Sequence, residues 1–337
     1  MTIKNILVTG PDLAPEAQEY LVKKGYKTVH TPPYADSDVI AKYLNDTHAV
    51  GIVSRMGRLD ANVFDAGLPN LKVIAKHGVG VDNIDCVAAG ERGIPVLVAY
   101  AANAVSVAEH TIALLLAVSK RIPALDQSLR LGRWEKPGFR GRELAGSTLG
   151  LLGMGAIAQA TAKIARGLDL KVIGFDPFAP DSVFAASQVE RVADLEQMLG
   201  RSHVVSLHCP LTDQTREIIN ARTLALMPRG SYIVNTARGG LIDEAALLAA
   251  VRSGRLAGAG LDTFSKEPPS PDHPFFSEPS IILTPHIGGV TEQANSRVGL
   301  SAVMGIVAVL EGDSVPASFI ANKQFLSQEA ISEVSEG

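Results

Sequence analysis

The strongest constraint on the fold is a repeated alternation of short, β-rich apolar runs with helix-like segments. Near the N-terminus the β-rich runs lie at residues 6–9, 50–54, 73–75 and 95–98. The pattern returns farther along, with strands predicted near 147–152, 171–175, 203–207, 231–235, 257–261 and 281–283. Because strands that alternate with helices pair in parallel, the sequence predicts an α/β protein with two doubly wound parallel-sheet domains.

A glycine-rich loop follows the first predicted strand of the second domain. The loop reads Gly153-Met154-Gly155-Ala156-Ile157-Ala158 and precedes a predicted helix at 156–167. Gly153 permits the tight turn, Gly155 lets the backbone approach a pyrophosphate, and the small Ala158 replaces a third glycine where helix meets strand. Ala156 and Ile157 open the helix, whose N-terminus attracts phosphate. An ordinary turn is the alternative, but the strand, loop and helix order favours a dinucleotide site.

Asp176 strengthens this interpretation. It ends the apolar run 171–175, roughly 20 residues after Gly153, where an acidic side chain meets the adenosine ribose hydroxyls. Asp176 would repel the 2′-phosphate of NADP, and residues 177–180 contain no Arg or Lys to hold it. A strand-ending Asp that opens an Asp-Pro turn is the alternative. Together, loop and acid predict NAD as the cofactor.

The composition argues against several classes of function. The 337 residues, 46% of them hydrophobic, can form two domains with buried cores, and the net charge of −4 provides no basic face for nucleic acid. Two cysteines, Cys86 and Cys209, are too few for a disulfide framework and lack metal-ligand spacing. The N-terminus does not resemble a signal sequence, and the longest apolar stretch, 112–118, is far shorter than the ~20 residues that cross a bilayer. We therefore expect a soluble, cytoplasmic protein without metal, membrane or nucleic-acid partners.

Two helix candidates connect the predicted domains. One covers residues 101–121 and is ended by Pro123, and the other covers residues 291–310. Because the second follows the last strand of the nucleotide domain, we predict that it returns the chain to the first domain and leaves a cleft between the two. The resulting prediction is a substrate-binding domain at 1–100 and 287–325, an NAD-binding domain at 101–286, and a frayed polar tail at 326–337.

Arg238 is the first candidate for catalysis. It follows the apolar run 232–234, just beyond the carboxyl end of a predicted strand, where ligands bind in open α/β sheets. Its planar guanidinium can hold a carboxylate through two hydrogen bonds while it polarises an adjacent carbonyl. Arg238 therefore indicates a 2-hydroxy acid or 2-oxo acid as the substrate, with a structural surface arginine as the alternative.

His286 and Glu267 complete a candidate catalytic set. His286 stands in Thr284-Pro285-His286-Ile287-Gly288, again after a predicted strand, and imidazole is the side chain best suited to proton exchange near neutral pH. Glu267 can orient that imidazole and stabilise its charged form. Taken singly, a capped loop histidine and a solvated glutamate are the simpler explanations. Together with the nucleotide loop, these residues indicate hydride transfer.

Several ordered motifs resemble those of the D-isomer-specific 2-hydroxy-acid dehydrogenases, the family of phosphoglycerate, glyoxylate/hydroxypyruvate, D-lactate and formate dehydrogenases. The resemblance covers about residues 5 to 320 and includes the segments 76–85, 103–109, 132–134, 141–146 and 208–212. It implies a Rossmann NAD-binding domain beside a flavodoxin-like substrate domain. It also implies that Arg238, Glu267 and His286 form the catalytic triad.

The resemblance further implies a set of ligand contacts. Asp262 would contact the nicotinamide carboxamide, and Val79 and Gly80 would offer backbone N–H groups to the substrate carboxylate. The other residues that the resemblance implies around the cofactor are His208, Cys209, Pro210, Thr236, Ala237 and Gly288. Without the resemblance, the loop that contains Gly78, Val79 and Gly80 reads as a turn.

The identity of the substrate is left open. Arg55 and Lys76 end predicted first-domain strands and could hold a second anion such as a phosphate, although ordinary surface charge is the alternative. His77 could bond to substrate or be a structural histidine. 3-Phosphoglycerate and a hydroxypyruvate- or glyoxylate-like acid are the favoured substrates.

Two other functions are alternatives to the dehydrogenase. An NAD(H)-sensing, corepressor-like binding protein shares this fold, but the complete triad disfavours it. S-adenosylhomocysteine hydrolase has a related NAD domain, yet its chains are longer and its adenosine-binding segments have no counterpart here. By resemblance, the segment around Trp134 is expected to form a homodimer contact.

Overall fold

The computed structural model describes residues 3–335, apart from the side chain of Glu333. Residues 1–2 and 336–337, which belong to the predicted first domain and tail, lie outside the described residues. Contacts between Cα atoms divide the chain into two compact units. Unit 1 is Met1–Asn103 with Thr291–Gly337, and unit 2 is Ala104–Val290.

The helices and strands alternate along the described chain. The strands are β1 Lys4–Thr9, β2 Tyr26–Thr31, β3 Gly51–Ser54, β4 Val73–Lys76, β5 Val96–Val98, β6 Thr148–Leu152, β7 Lys171–Phe175, β8 Glu190–Arg191, β9 Val204–Leu207, β10 Ser231–Asn235, β11 Leu256–Leu261 and β12 Ile281–Leu283. The helices are α1 Pro15–Lys23, α2 Ser37–Thr47, α3 Ala61–Gly67, α4 Cys86–Glu91, α5 Ala104–Lys120, α6 Ile122–Arg130, α7 Ala156–Gly167, α8 Asp181–Ser187, α9 Leu195–Arg201, α10 Ala221–Leu226, α11 Glu244–Arg252, α12 Glu292–Glu311 and α13 Gln328–Val334.

Unit 1 contains a parallel sheet in the order β2-β1-β3-β4-β5, which is the order of flavodoxin-like folds. Because helices cover both faces of such a sheet, its inner strands contain runs of consecutive apolar residues, and Ile6, Leu7 and Val8 of β1 are fully buried. Helix α12 belongs to this unit, where Val303 and Ile306 share a core with Ile6 and Val8.

Unit 2 contains a parallel sheet in the order β12-β11-β10-β9-β6-β7-β8. The chain leaves β6 towards β7 and β8, then returns to β9 on the other side of β6, so the strand order reverses between β6 and β9. Ligands of open α/β sheets bind at the carboxyl ends of the strands beside such a switch point. The two parallel sheets confirm the predicted fold class and put the loops after β6, β7, β9, β10, β11 and β12 at the ligand-binding edge of unit 2.

Aspartate side chains define where many of the helices begin. Asp36, Asp60, Asp85, Asp194 and Asp243 are N-cap residues, and each accepts a hydrogen bond from the amide three positions later. Such a cap satisfies an amide that has no partner within the helix and stabilises the protein by about 1 kcal/mol. These caps fix the ends of the strand-to-helix loops.

The predicted frayed tail is wrong for its described part. Residues Gln328–Val334 form α13, whose N-cap Ser327 accepts a hydrogen bond from Ala330 N. Leu326 and Val334 are buried in the core of unit 1. The tail is polar overall, but its few apolar side chains fall on one helical face, and burial of that face offsets the cost of ordering the segment.

The helix predicted at 101–121 also differs in detail. Helix α5 covers Ala104–Lys120, and α6 follows after Arg121, which adopts a left-handed φ of 54°. Helix α5 ends close to its predicted end, three residues before Pro123, and Pro123 itself lies in the first turn of α6. A proline is accommodated in a first turn because the amide it lacks would have no helical partner there.

Within residues 3–335, α12 is long and apolar enough to cross a membrane by length and composition alone, with a mean hydropathy of 1.2. Its residues Ala302, Val303, Ile306 and Val307 are buried in the core of unit 1. The core helix of a soluble protein meets the same criteria, so α12 is weak evidence for a membrane span.

Candidate active site

The nucleotide loop lies at the carboxyl end of β6. Gly153 has a φ of +96°, and a Cβ at this position would lie 2.9 Å from the backbone of His208 and Cys209, so only glycine fits. Met154 N donates to Asp176 Oδ2 at 2.8 Å. Asp176 Oδ1 accepts hydrogen bonds from two further backbone amides, at 2.9 and 3.1 Å. Three amides therefore hold the Asp176 carboxylate beside the loop.

The start of α7 fits a pyrophosphate. Its N-cap, Gly155, provides no side-chain cap for the amides of the first turn, which begins with Ala156 and Ile157. A Cβ on Gly155 would meet no protein atom within 4 Å, and its φ of −67° is open to any residue. Neither packing nor backbone conformation therefore requires glycine here, whereas the close approach of a pyrophosphate would. Ala158 is fully buried, as the predicted helix–strand contact demands.

The segment after β9 forms a wall beside Gly153. His208 Nε2 and Ser206 Oγ share a hydrogen bond of 2.9 Å, and burial lowers the pKa of His208 to about 3. Burial also raises the pKa of the Cys209 thiol to about 11. Both side chains are therefore uncharged at neutral pH, and Pro210 after them is exposed. This segment therefore shapes the site beside Gly153 and is not suited to transfer protons.

Arg238 lies after β10 in a loop that Asn235 organises. Asn235 is fully buried, donates from Nδ2 to Arg238 O at 2.9 Å, and accepts from Ala237 N at 3.0 Å. A Cβ on Gly239 would lie 1.9 Å from the carbonyl carbon of Phe264, so the loop reaches the chain after β11 only because residue 239 is glycine. The same Phe264 donates its amide to Glu267 Oε1 at 3.0 Å. This packing brings the Arg238 loop and the Glu267 loop together.

His286 and Glu267 form a direct pair, with 2.7 Å between His286 Nδ1 and Glu267 Oε2. The hydrogen bond to Glu267 raises the pKa of His286 above 6.5, against the opposing effects of burial and the Arg238 charge. Burial raises the pKa of Glu267, but the hydrogen bonds from His286 and Phe264 and the charges of His286 and Arg238 outweigh it, so the pKa lies below 4.5.

These shifts settle the protonation of the pair. Glu267 is an ionised acceptor at neutral pH, so Nδ1 of His286 carries the donated proton. Nε2 is then the nitrogen that gains or loses a proton when the ring titrates. His286 side-chain atoms are 48% exposed, so a ligand can reach the ring. The arrangement suits a general acid and base next to a fixed positive charge.

Asp262, at the end of β11, is almost completely buried and binds the segment that carries His286. Its Oδ1 accepts from Thr284 Oγ1 at 2.6 Å and from Ile287 N at 2.9 Å, and its Oδ2 accepts from Gly288 N at 2.8 Å. Burial raises the pKa of Asp262, but the hydrogen bonds from His110, Thr284 and the two amides outweigh it and hold the pKa below 3.8. Contacts of Asp262, Thr236, Ala237 and Gly288 with the cofactor stay predictions.

The predicted substrate residues belong to unit 1, at the carboxyl ends of β3 and β4. Arg55 Nη1 donates to Pro11 O at 2.9 Å, and Lys76 Nζ donates to Asn83 Oδ1 at 2.6 Å. Burial and the charges of Arg55 and Lys76 lower the pKa of His77 to about 4, so its ring is neutral.

The loop that follows His77 was predicted to present backbone amides. Gly78 has a φ of +147°, Val79 is exposed, and Gly80 is partly exposed. Gly78 donates its amide to Lys76 O at 2.9 Å, which makes a tight turn directly after β4. The turn and the substrate-binding interpretations are compatible with this geometry, because the turn leaves residues 79–80 at the surface.

Sequence reasoning missed three residues that support the site: Asn235, Thr284 and His110. Asn235 and Thr284 lie close to Arg238 and His286 in the sequence, but an amide and a hydroxyl do not by themselves indicate a role in catalysis. His110 lies on α5, distant in sequence, with Nε2 at 2.9 Å from Thr284 Oγ1. Among residues 3–335, no group of three or more His, Cys, Asp or Glu side chains is arranged to hold a metal ion.

The comparisons with known proteins identify the family. Residues 112–288 match the model of the D-isomer specific 2-hydroxyacid dehydrogenase, NAD binding domain. The chain is 41% identical over 290 residues to hydroxypyruvate reductase of Thermotoga maritima, covering 86% of this chain and 92% of that one. The chain belongs to the D-isomer specific 2-hydroxyacid dehydrogenase family. This confirms the predicted resemblance and NAD as the cofactor.

Two further relatives show how far the similarity extends. D-3-phosphoglycerate dehydrogenase of Archaeoglobus fulgidus is 38% identical over 308 residues, which are 91% of this chain but 57% of that protein. The chain thus spans little more than half the length of this relative. A solved structure of a glyoxylate reductase from Paecilomyes thermophila superimposes with a TM-score of 0.85 at 28% identity, covering 96% of this chain and 100% of that one.

Proposed function

We propose that this protein transfers a hydride between NAD(H) and a D-2-hydroxy acid/2-oxo acid pair. The observation that carries the proposal is the 2.7 Å pair of His286 and Glu267, with the charge of Arg238 acting on both. These three residues lie in the same unit as the glycine loop and Asp176, which fit a dinucleotide. A carboxylate-binding cation, an acid–base imidazole and a nucleotide loop are the parts that such a reaction needs.

Each residue has a separate task in the proposed reaction. NAD, when bound, supplies the hydride acceptor for alcohol oxidation and, as NADH, the hydride donor for the reverse reaction. During oxidation His286 Nε2 takes the hydroxyl proton, while Nδ1–H stays bonded to Glu267, whose negative charge stabilises the imidazolium. During reduction the protonated Nε2 returns that proton to the carbonyl oxygen. Arg238 holds the substrate carboxylate and polarises the carbonyl beside it.

The proposed substrates are 3-phosphoglycerate or a hydroxypyruvate- or glyoxylate-like acid. Supporting this choice, relatives named phosphoglycerate dehydrogenase, hydroxypyruvate reductase and glyoxylate reductase are 38–41% identical to the chain. Arg55 and Lys76 are the cations proposed to bind a second anion. The amides of Val79 and Gly80 are proposed to bind the substrate carboxylate.

The proposal is tested by following NADH oxidation by the purified protein with a panel of 2-oxo acids. The panel includes glyoxylate, hydroxypyruvate, 3-phosphohydroxypyruvate, pyruvate, oxaloacetate and sulfopyruvate. Turnover with one or more acids is the expected result, and preference for a doubly anionic acid that is lost in Arg55→Met would assign the second anion to Arg55. NADH binding without turnover on any acid would instead support the NAD(H)-sensing alternative.

The pH dependence of reduction gives a second test. Reduction needs protonated His286, so its rate falls as the pH rises through the His286 pKa, which Glu267 raises above 6.5. Replacing Glu267 by Gln removes the negative charge, so the His286 pKa falls. The descending limb of the pH–rate profile for reduction then moves to lower pH. Initial rates of NADH oxidation between pH 5 and 10, in buffers of constant ionic strength, measure the shift. A limb at the same pH in both proteins would contradict the pairing of Glu267 with His286.

A homodimer is also part of the proposal. Its support is an exposed apolar face of unit 2 on and after α6, where Ile122, Leu129, Leu131 and Trp134 are 53–71% exposed. Large exposed apolar groups in one region are typical of protein interfaces. Light scattering after size-exclusion chromatography measures the mass, and a stable monomer at micromolar concentration would contradict the dimer.

A further inference from the structure

The hydrogen bonds around Thr284 show which ring nitrogen of His110 donates. Thr284 Oγ1 has one proton and lies 2.6 Å from Asp262 Oδ1, which accepts because the carboxylate is ionised. Thr284 therefore donates to Asp262, and its oxygen accepts from His110 Nε2 at 2.9 Å. His110 Nε2 also lies 3.3 Å from Asp262 Oδ1. Nε2 of His110 thus carries a proton that both oxygens share.

Asp262 in turn clamps the backbone around His286. Its carbonyl oxygen accepts from His286 N at 2.8 Å, and its carboxylate accepts from the amides of Ile287 and Gly288. His286 has a φ of 55°, a left-handed conformation that is unfavourable for a residue with a side chain. Such a conformation persists where its surroundings over-determine it. Here the three hydrogen bonds from the amides of residues 286–288 to Asp262 hold the conformation in place.

The side chains of Asp262, Thr284 and His110, which together form the clamp on the His286 segment, are closely packed. A Cβ on Gly288 would lie 2.9 Å from Asp262 Oδ2 and 3.4 Å from a ring carbon of His110. The His110 side chain is 19% exposed, and Asp262 is 1% exposed. With so little free space, the carboxylate can rotate only if His110 or Thr284 gives way.

We propose that His110 is a positioning residue for His286: its Nε2–H holds Thr284 and Asp262, and Asp262 holds His286 in the backbone conformation that keeps its ring against Glu267. The acid–base role of His286 on which this rests is the proposed function, but the positioning itself is a property of the free protein. His110 reaches the site from α5 and bonds the 284–288 segment through its side chain alone.

The charged groups that face His286 define a readout specific to positioning. They are Glu267, Arg238 and Asp262. The raised His286 pKa depends first on the short hydrogen bond to Glu267, so a displacement of the His286 ring that lengthens this bond lowers that pKa. A merely structural role for His110 would change the melting temperature and leave the His286 pKa where it is.

The test compares three substitutions of His110. Phe keeps a ring without a donor, Gln places an amide N–H near the position of Nε2, and Asn is too short to reach Thr284. NMR titration of the His286 ring protons, without cofactor or substrate, gives its pKa in each protein. Steady-state reduction over a range of pH gives kcat and KM for the 2-oxo acid.

We expect His110→Phe to lower the His286 pKa and to reduce kcat about tenfold or more, because small misplacements of reacting groups are costly, with little change in the KM of the 2-oxo acid. His110→Gln should restore both values. If His110→Phe does not fold, His110→Asn takes its place. An unchanged His286 pKa in the donor-free protein, or a Gln protein that titrates like the donor-free one, would overturn the proposal. Absence of turnover in the wild type would count against the proposed function alone, since the titration still decides the role of His110.

Discussion

Replacing His286 by Asn is expected to lower kcat/KM for 2-oxo acid reduction by ~10²–10⁴-fold, the usual contribution of a positioned acid or base. Asn is the informative substitution because it tolerates the left-handed φ of 55° that His286 adopts. The loss then reports the missing imidazole and not a collapsed loop. Affinity for NADH, measured by fluorescence, should change little, since the nucleotide loop and Asp176 are separate from His286.

The chain offers a matched control for this substitution. His48 ends α2 in unit 1 with a φ of 50° and is exposed. His48→Asn therefore removes the same ring from the same backbone conformation, and its activity should equal that of the wild type. A His286→Asn protein that reduces its substrate as fast as the His48→Asn protein would remove His286 from the mechanism.

Much of the fold could be predicted because parallel strands are buried on both faces. Runs such as 203–207 and 231–235 contain consecutive apolar residues for that reason, and each contains a strand of the sheet in unit 2. Strand β8 had no such signal, since Glu190–Arg191 is a two-residue, exposed edge strand. Helix α13 was missed because its polar composition hides the face that packs on the core, an effect of tertiary contacts that composition does not reveal.

The candidate site shows the same limit at the level of side chains. Arg238 and His286 could be selected because each carries titratable or anion-binding chemistry after a predicted strand, and Glu267 because a carboxylate can orient the imidazole. His110 and Thr284 could not, since their importance lies in which atoms they meet: Thr284 accepts from His110 and donates to Asp262. Likewise, Gly239 reads as an ordinary loop glycine until its approach to the Phe264 backbone is seen. Contacts between residues distant in sequence carry this information, and a single sequence does not contain it explicitly.

Arg238 also has an electrostatic effect beyond its proposed contact with substrate. Its charge lowers the pKa of both Glu267 and His286. Glu267 and Arg238 therefore act on His286 in opposite directions, and the hydrogen bond to Glu267 is the stronger influence. A protein that binds a carboxylate beside an acid–base histidine needs this balance, because an unopposed Glu267 would keep His286 protonated to a higher pH and slow oxidation.

Replacing Arg238 by Met is expected to lower kcat/KM by at least ~10²–10³-fold, a typical loss for a donor that stabilises developing charge. Met keeps an unbranched side chain of similar length without charge or hydrogen bonds. Arg238→Lys keeps the charge but loses the two-pronged geometry that matches a carboxylate, so its activity should lie between those of the wild type and the Met variant.

The residual activity of the two Arg238 variants distinguishes the effect of the Arg238 charge on the His286 pKa from the contact of Arg238 with the substrate. In Arg238→Met the positive charge that lowers the His286 pKa is gone, so this pKa rises and the descending limb of reduction moves to higher pH, opposite to the shift expected for Glu267→Gln. In Arg238→Lys the limb should stay near that of the wild type although turnover is reduced. Rate profiles over pH, with saturating NADH and subsaturating 2-oxo acid, measure both. If the descending limb lies at the same pH in the Arg238→Met and Arg238→Lys proteins, Arg238 acts on the substrate without changing the His286 pKa. If the limb moves to higher pH in Arg238→Met and to lower pH in Glu267→Gln, His286 titrates under the opposing influence of the Arg238 and Glu267 charges.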